Sequence, residues 1–463
     1  MRLRAIAVLA ALFLGPCLAQ ETEILKAIEE LSERQRQLAA ETASRMQDLA
    51  RAIDELKAKL GKPAPQQAAA VTAPQVAEAP KPAPVKPTAP MRWYEKYSFR
   101  GYTQFRHNRV YTSNPQLLCQ SCDRNAGANT NLSFRRARFV LFGDVNDRIS
   151  FYFQPDFAST SGNLHFGQIR DLYFDIALDR AKEWRVRAGQ AKLPFGFENL
   201  QSSQNRMALD RTDALNTATP NERDLGVFAY WAPREIRRRL ATLAAAGPAG
   251  LKGSGDYGVV GFGVANGQGA NRAEDNNALH YFGRVAYPWK LKNEQHVELG
   301  IQAYTGFYTL TSDQRSTGTQ GRADFRYPDR RLAGSFVWYP QPLGIQAEYN
   351  YGKGPQYNSF SKTIEAAALR GGYIQAMYRG RLTNGQVLFP FARYQYYDGG
   401  KKIELDAARH RVREAEFGLE WHWNNFLELT GAFVHSDRTV ENGRTPFVRQ
   451  IGNYLRLQLQ VNY

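Results

Sequence analysis

Guanidinium groups are the chemistry this chain has most of. Arginine outnumbers lysine 44 to 16. A guanidinium stays protonated at every physiological pH and can hold an oxyanion through two parallel hydrogen bonds. Residues 91–463 carry 48 basic and 34 acidic side chains, a balance that suits anionic solutes or, in another setting, nucleic acid. Other reactive types are sparse. Cys119 and Cys122 stand as Cys-Gln-Ser-Cys with no second pair to complete a zinc site. The seven histidines, His107, His165, His280, His296, His410, His422 and His435, are scattered without a nucleophile in view. No Gly-x-Ser-x-Gly elbow or His-Glu-x-x-His motif is present. Gly261-Phe-Gly263 lies within a strand pattern and opens no helix, so it makes no nucleotide loop. Neither an enzyme, a metal nor a cofactor is expected.

The elements that would position these groups fall into four segments. Residues 1–19 read as a signal peptide: Arg2 and Arg4 precede the apolar run Ala5 to Leu14, and Cys17-Leu-Ala19 ends it. An exported chain disfavours nucleic acid as a partner and makes a local Cys119–Cys122 disulfide the expectation. Residues 20–60 carry Ile24, Ile28, Leu31, Leu38, Met46, Leu49, Ile53, Leu56 and Leu60, mostly 3 and 4 apart, with a stutter between Leu38 and Met46. That is a coiled-coil seam, and its stripe calls for self-association. Residues 61–90 are mostly Pro, Ala, Val, Gln and Lys and form a semi-rigid spacer.

From Met91 to Tyr463 the period is 2. Leu455, Leu457, Leu459, Val461 and Tyr463 alternate with Arg456, Gln458, Gln460 and Asn462, and Phe417, Leu419, Trp421 and Trp423 alternate with Glu416, Glu420 and His422. No window after residue 20 is apolar over the ~18–20 residues of a spanning helix, so any crossing is made by strands. Sixteen such strands fit, near 97–110, 131–144, 148–157, 169–178, 183–193, 225–232, 256–265, 279–288, 295–308, 331–339, 343–352, 370–381, 385–397, 410–423, 426–436 and 446–463. Links after odd strands are long and those after even strands mostly tight, the pattern of an all-β transmembrane barrel inserted from the periplasm. One link breaks the rule. Pro233 to Gly255 should be short and is not; Ile236, Leu240 and Leu243 have helical spacing, so either an inserted helix or an extra hairpin, giving eighteen strands, would account for it. Aromatics at strand ends, such as Tyr287-Pro-Trp289 and Trp421 to Trp423, fit two interfacial girdles. Charge cannot face lipid cheaply, so the basic surplus belongs in the lumen, loops and rims, where rings of arginine favour anions.

Several short stretches carry a family resemblance. Phe134-Arg-Arg-Ala-Arg138 with Phe142-Gly143, Tyr152 to Phe157, Val186-Arg-Ala-Gly189-Gln190, Lys192-Leu-Pro-Phe-Gly-Phe-Glu198, Ser202-Ser203, Ala208-Leu-Asp-Arg211 and Gly226-Val227 resemble the phosphate-selective porin O and P family. The resemblance implies a sixteen-stranded homotrimeric porin of the bacterial outer membrane, inserted by the barrel assembly machinery, with the coil in the periplasm. It further implies that the third long loop, Pro194 to Asp224, folds inward to narrow the pore, taking Phe195, Phe197, Glu198, Asn199 and Arg206 with it. Arg135, Arg136, Arg138, Asp171 and Arg211 would then lie on the anion path. Family members use lysines at the constriction, whereas this loop offers Arg206, Arg211 and Arg223 and no lysine. Phosphate or other oxyanions are thus the expected solutes. Alternation sets a limit on the arginines: if Ala137, Phe139 and Leu141 face lipid, Arg136 and Arg138 face inward and Arg135 sits at the rim or a bulge. Two alternatives stand beside this reading, a general diffusion porin, or a barrel whose coil tethers the outer membrane to peptidoglycan.

Overall fold

The computed structural model describes residues 93–113, 131–161 and 164–463, with isolated helical positions between Glu33 and Glu55. Two units are present, Met1–Pro87 and Thr88–Tyr463. In the first, polar positions between the seam residues, among them Glu33, Arg36, Gln47, Asp48, Arg51 and Glu55, are helical and exposed. The signal peptide, the seam itself, the spacer, Cys119 and Cys122 lie outside the described residues.

Alternation becomes a closed wall in the second unit. The strands are β1 (Tyr97–Ser113), β2 (Asn131–Asp144), β3 (Ile149–Ser161), β4 (Leu164–Ala177), β5 (Trp184–Lys192), β6 (Arg223–Trp231), β7 (Val260–Ala265), β8 (His280–Lys290), β9 (His296–Thr309), β10 (Arg326–Trp338), β11 (Leu343–Asn358), β12 (Thr363–Tyr378), β13 (Val387–Gly400), β14 (Arg409–His422), β15 (Leu427–Glu441) and β16 (Val448–Asn462). Gly380–Arg381 prolongs β12 past Arg379 in unchanged register on β13, so the wall has sixteen antiparallel staves. Each pairs with its neighbours in sequence, and β1 pairs with both β2 and β16. At the seam, Gly101 N–H donates to Tyr463 O at 2.5 Å and Tyr463 N–H returns the bond at 3.0 Å. No edge is left unpaired, which is what a strand wall in lipid requires.

The wall is inside out relative to a soluble protein. Gln104, Arg106, Glu298, Gln302, Glu420 and Arg456 are buried, whereas Phe99, Ile301, Phe417 and Leu457 are exposed on the outer face. Either set is the even or the odd members of one strand, as period 2 dictates. All seven tryptophans lie at or beside strand ends on the short-turn side; Trp184 and Trp231 meet at 6.0 Å and Trp421 and Trp423 at 5.2 Å. The long-loop rim carries exposed Tyr111, Phe134, Tyr281 and Phe307 instead. The two girdles therefore differ in chemistry: the short-turn rim combines indoles with exposed Tyr378 and Phe426, and the long-loop rim has phenyl and phenol rings alone.

Among the described residues three α-helices lie between strands: α1 (Phe197–Leu200), α2 (Asp213–Asn216) and α3 (Arg234–Leu243). Helix α3 explains the long link on the short-turn side. Its Ile236 and Leu240 pack on Ala232 and Val259, and Leu243 with Leu251 reaches Phe197, Val337 and Tyr339 inside the barrel. The insertion is a helix rather than a hairpin, and sixteen strands is the count.

Candidate functional site

The link between β5 and β6, residues 193–222, enters the lumen; Arg223 and Asp224, read from sequence as loop, begin β6. Its turn is set locally. Pro194 cannot donate to a strand ladder, and Gly196 has φ 83°, with a Cβ there only 2.3 Å from Leu215 Cδ1, so a side chain would be excluded on both counts. Leu193, Phe195 and Ala218 then pack against Phe228, Tyr230, Phe282 and Tyr304.

Polar bonds fasten the loop across the barrel. Glu348 of β11 accepts the amide protons of Phe197 at 2.5 Å and Glu198 at 2.8 Å, two of the donors left over at the start of α1. Glu198 accepts from Thr212 N at 2.9 Å and Thr212 Oγ1 at 2.8 Å, and its other oxygen pairs with Arg393 of β13 at 2.9 Å. Asn199 Nδ2 donates to Leu215 O at 2.9 Å and Thr219 Oγ1 at 3.1 Å. Asp213 pairs with Arg438 at 3.0 Å and Lys401 at 2.5 Å, and Arg331 donates to Ala214 O at 3.0 Å. Asp210 gathers Arg106 at 3.4 Å, Arg135 at 3.5 Å and Arg456. Burial alone would raise the Asp210 carboxyl, but Arg456, Arg106 and Arg135 more than reverse this and hold it well below the usual range. Phe195, Phe197, Glu198 and Asn199 are thus anchors of the loop.

The arginines singled out from sequence divide by partner. Arg138 faces inward, bonded to Asp156 at 2.8 Å, Tyr102 Oη at 2.9 Å and Ser203 Oγ at 2.9 Å. Arg136 also faces inward; it donates to Gln104 Oε1 at 2.6 Å, and among the described residues no carboxylate pairs with it. Arg135 occupies the bulge where β1–β2 register shifts between Gln104 and Phe105. Asp171 holds Arg223 through two contacts of 2.9 Å. Arg211 is spent within the loop, on Glu222 at 2.5 Å and Gln201 O at 3.2 Å. Arg206 bonds Leu209 O at 3.0 Å, while its Nε and Nη1 find no hydrogen-bond partner among the described residues. Burial, and then Arg211 beside it, push the Arg206 guanidinium below its usual range; an arriving anion would relieve that cost.

Between this loop, the β1–β6 wall and the α3 link lies a cavity of about 410 Å³, lined by Arg100, Arg138, Arg185, Arg187, Lys192 and Arg223 and by only two acids, Asp171 and Asp256. Both acids are already paired, Asp171 as above and Asp256 with Arg185 and Arg237 at 2.8 Å each. Neither Arg185 nor Arg187 was placed on the anion path from sequence, although Arg187 lies in one of the family motifs and their i, i+2 spacing on β5 puts them on one face. Lysine reaches the inward loop from outside it: Lys192 Nζ donates to Leu200 O at 2.9 Å and Gln201 O at 2.6 Å, and Lys401 comes from the β13–β14 link.

Known proteins give this geometry a context. The family model described as phosphate-selective porin O and P matches residues 119–463. A search of curated proteins finds no significant relative. Among solved structures the chain is similar to OmpF of Salmonella typhi in complex with daunomycin, at 13% identity and TM-score 0.49 over 79% of this chain and 97% of that one. It is similar also to OprB of Pseudomonas putida, at 7% identity and TM-score 0.48 over 80% and 94%. The anion-selective porin from Comamonas acidovorans aligns at 12% identity and TM-score 0.46 over 79% and 99%.

Proposed function

Because the chain belongs to the phosphate-selective porin O and P family, it is an outer-membrane porin rather than an enzyme, and from that premise we propose that small oxyanions cross it along the basic wall of β1–β6. The observation that carries this reading is the lining of the narrow cavity, six basic side chains against two acids that are themselves already paired. A dehydrated or partly dehydrated anion meets there several guanidinium groups with donors to spare, each shared with a protein acceptor and so individually weak. Conduction needs such shallow successive sites. Arg136 and Arg206, which lack carboxylate partners among the described residues, extend the path past the loop, while Arg211 and Asp171 act as supports that keep Glu222 and Arg223 in place.

Phosphate, sulfate and small carboxylates all fit planar guanidinium recognition. The functional unit in this reading is a homotrimer, with one path per barrel. Reversal potential across a planar bilayer under a salt gradient tests it: preference for chloride over potassium, with block by phosphate or sulfate, supports the path, and a cation-preferring or unselective channel leaves a general diffusion porin.

A further inference from the structure

At the short-turn end of the lumen, away from the basic wall, Glu420 and His422 lie two apart on β14 and face inward, and Glu428 is the cross-strand partner of His422 on β15. His422 Nε2 is 2.5 Å from Glu420 Oε1 and its Nδ1 is 3.6 Å from Glu428 Oε2. One ligand atom from each of the three residues lies within 4.8 Å of the others. Lys252, from the long β6–β7 link, puts its Nζ on Glu420 Oε1, 3.5 Å from His422 Nε2 and 4.8 Å from the Phe389 ring centroid. The ammonium thus meets only one of the two carboxylates, and Glu420 Oε2, in a side chain of 0% exposure, has no hydrogen-bond partner among the described residues. Glu428 is met on its other side by Gln460 Nε2 at 3.3 Å, a neutral donor.

From this geometry we propose that Glu420, His422 and Glu428 form a binding site for a zinc-type divalent cation, with Lys252 Nζ as its built-in competitor. One imidazole nitrogen and two carboxylates are an N/O donor set that such cations accept, leaving a fourth position for water. Charge balances: a dication neutralises both carboxylates where the ammonium neutralises one, and the displaced ammonium leaves for solvent. Lys252 is also the point where the link touches the inward loop, since Gln201 Nε2 donates to its carbonyl at 2.5 Å. Metal entry therefore releases the Lys252 ammonium from the wall at the inner mouth of the pore, while its carbonyl keeps the Gln201 bond. The bland competitor is a proton shared between the two carboxylates, which binds no metal.

Calorimetric titration of the full chain, folded in detergent, with Zn²⁺ decides between them. Lys252→Met is expected to bind one zinc at least about 10-fold, that is ~1.4 kcal/mol, more tightly than the wild type, and His422→Ala in that background to lose it. Zinc affinity equal in wild type and Lys252→Met, no binding by either, or binding that survives His422→Ala overturns the proposal. A second measurement needs no variant at this site: acylation of the Lys252 amine in the wild-type protein, read by peptide mapping, should rise when saturating zinc is present. Unchanged labelling at saturation refutes the competition.

Discussion

Arg393 Nη1 on β13 lies 2.9 Å from Glu198 Oε1 on the inward loop, and both side chains are buried. The same carboxylate holds Thr212, so this one contact ties the wall to both limbs of the loop. Removing one partner of such a pair strands a buried charge, at a cost of about 3–5 kcal/mol. Arg393→Gln should therefore free the loop, giving larger and noisier single-channel conductance. Unchanged conductance and noise would place the constriction elsewhere.

Selectivity should follow the β5 wall. Arg138 on β2 and Arg185 and Arg187 on β5 all line the cavity, each with a carboxylate partner, Asp156, Asp256 and Asp175 in turn. Arg138→Glu with Arg187→Glu replaces two positive groups by negative ones, and the reversal potential should move toward cations, less so at high salt because screening shortens the field. An unmoved reversal potential in the double variant sinks the proposed path.

Barrel closure should depend on Tyr463. Its backbone bonds both ways with Gly101, its ring centroid is 5.6 Å from that of Phe139, and a Cβ on Gly101 would sit 2.4 Å from the Tyr463 ring. Deleting Tyr463, or Gly101→Val, should lower the yield of heat-modifiable barrel; wild-type yield in both would contradict this seam.

The β13–β14 link offers a pH test. Glu404 meets His410 at 2.6 Å and Lys401 at 3.4 Å; burial raises its carboxyl, but His410 and Lys401 outweigh it and hold it at about 2. A folded value below the unfolded one, ~4.3, means stabilisation that is complete above the unfolded value and is lost as pH falls through the folded one. Glu404→Gln should lower the unfolding temperature at pH 7, and its difference from wild type should shrink between about pH 4 and 2. A difference that persists at the acid end argues against this pairing.

The N-terminal segment is expected to be dispensable for conduction. Deleting residues 21–90 should leave single-channel conductance unchanged. Loss of trimers on native gels would assign this segment to assembly, and loss of envelope integrity with trimers intact would assign it to tethering.

Strand number, order and facing were legible in the residues because a barrel in lipid repeats one rule at every position. The rule is apolar outward and mostly polar inward with period 2; bulges beside Gln104 and Gln154 and inward aromatics such as Phe228 and Phe282 depart from it, and at the β6–β7 link helical spacing at Ile236, Leu240 and Leu243 already marked the insertion. The inward faces of Arg136 and Arg138 and the bulge at Arg135 follow from the same rule. Composition likewise required a basic interior, since charge has no place on the outer face.

Which charges are spent and which are available was decided only by the tertiary structure. Arg211 and Arg206 are both arginines of one loop, yet Glu222 takes up the first and no described carboxylate pairs with the second. Lys192, Lys401 and Lys252 reach the loop or the inner mouth from β5 and two separate links, and Glu420, His422 and Glu428 come together only through the β14–β15 register. Strand periodicity is a local property that each residue reports through its immediate neighbours. Pairing across a lumen depends on how a loop crosses a closed wall, which brings side chains such as Glu198 and Arg393, 195 residues apart, into contact and leaves no trace in sequence spacing.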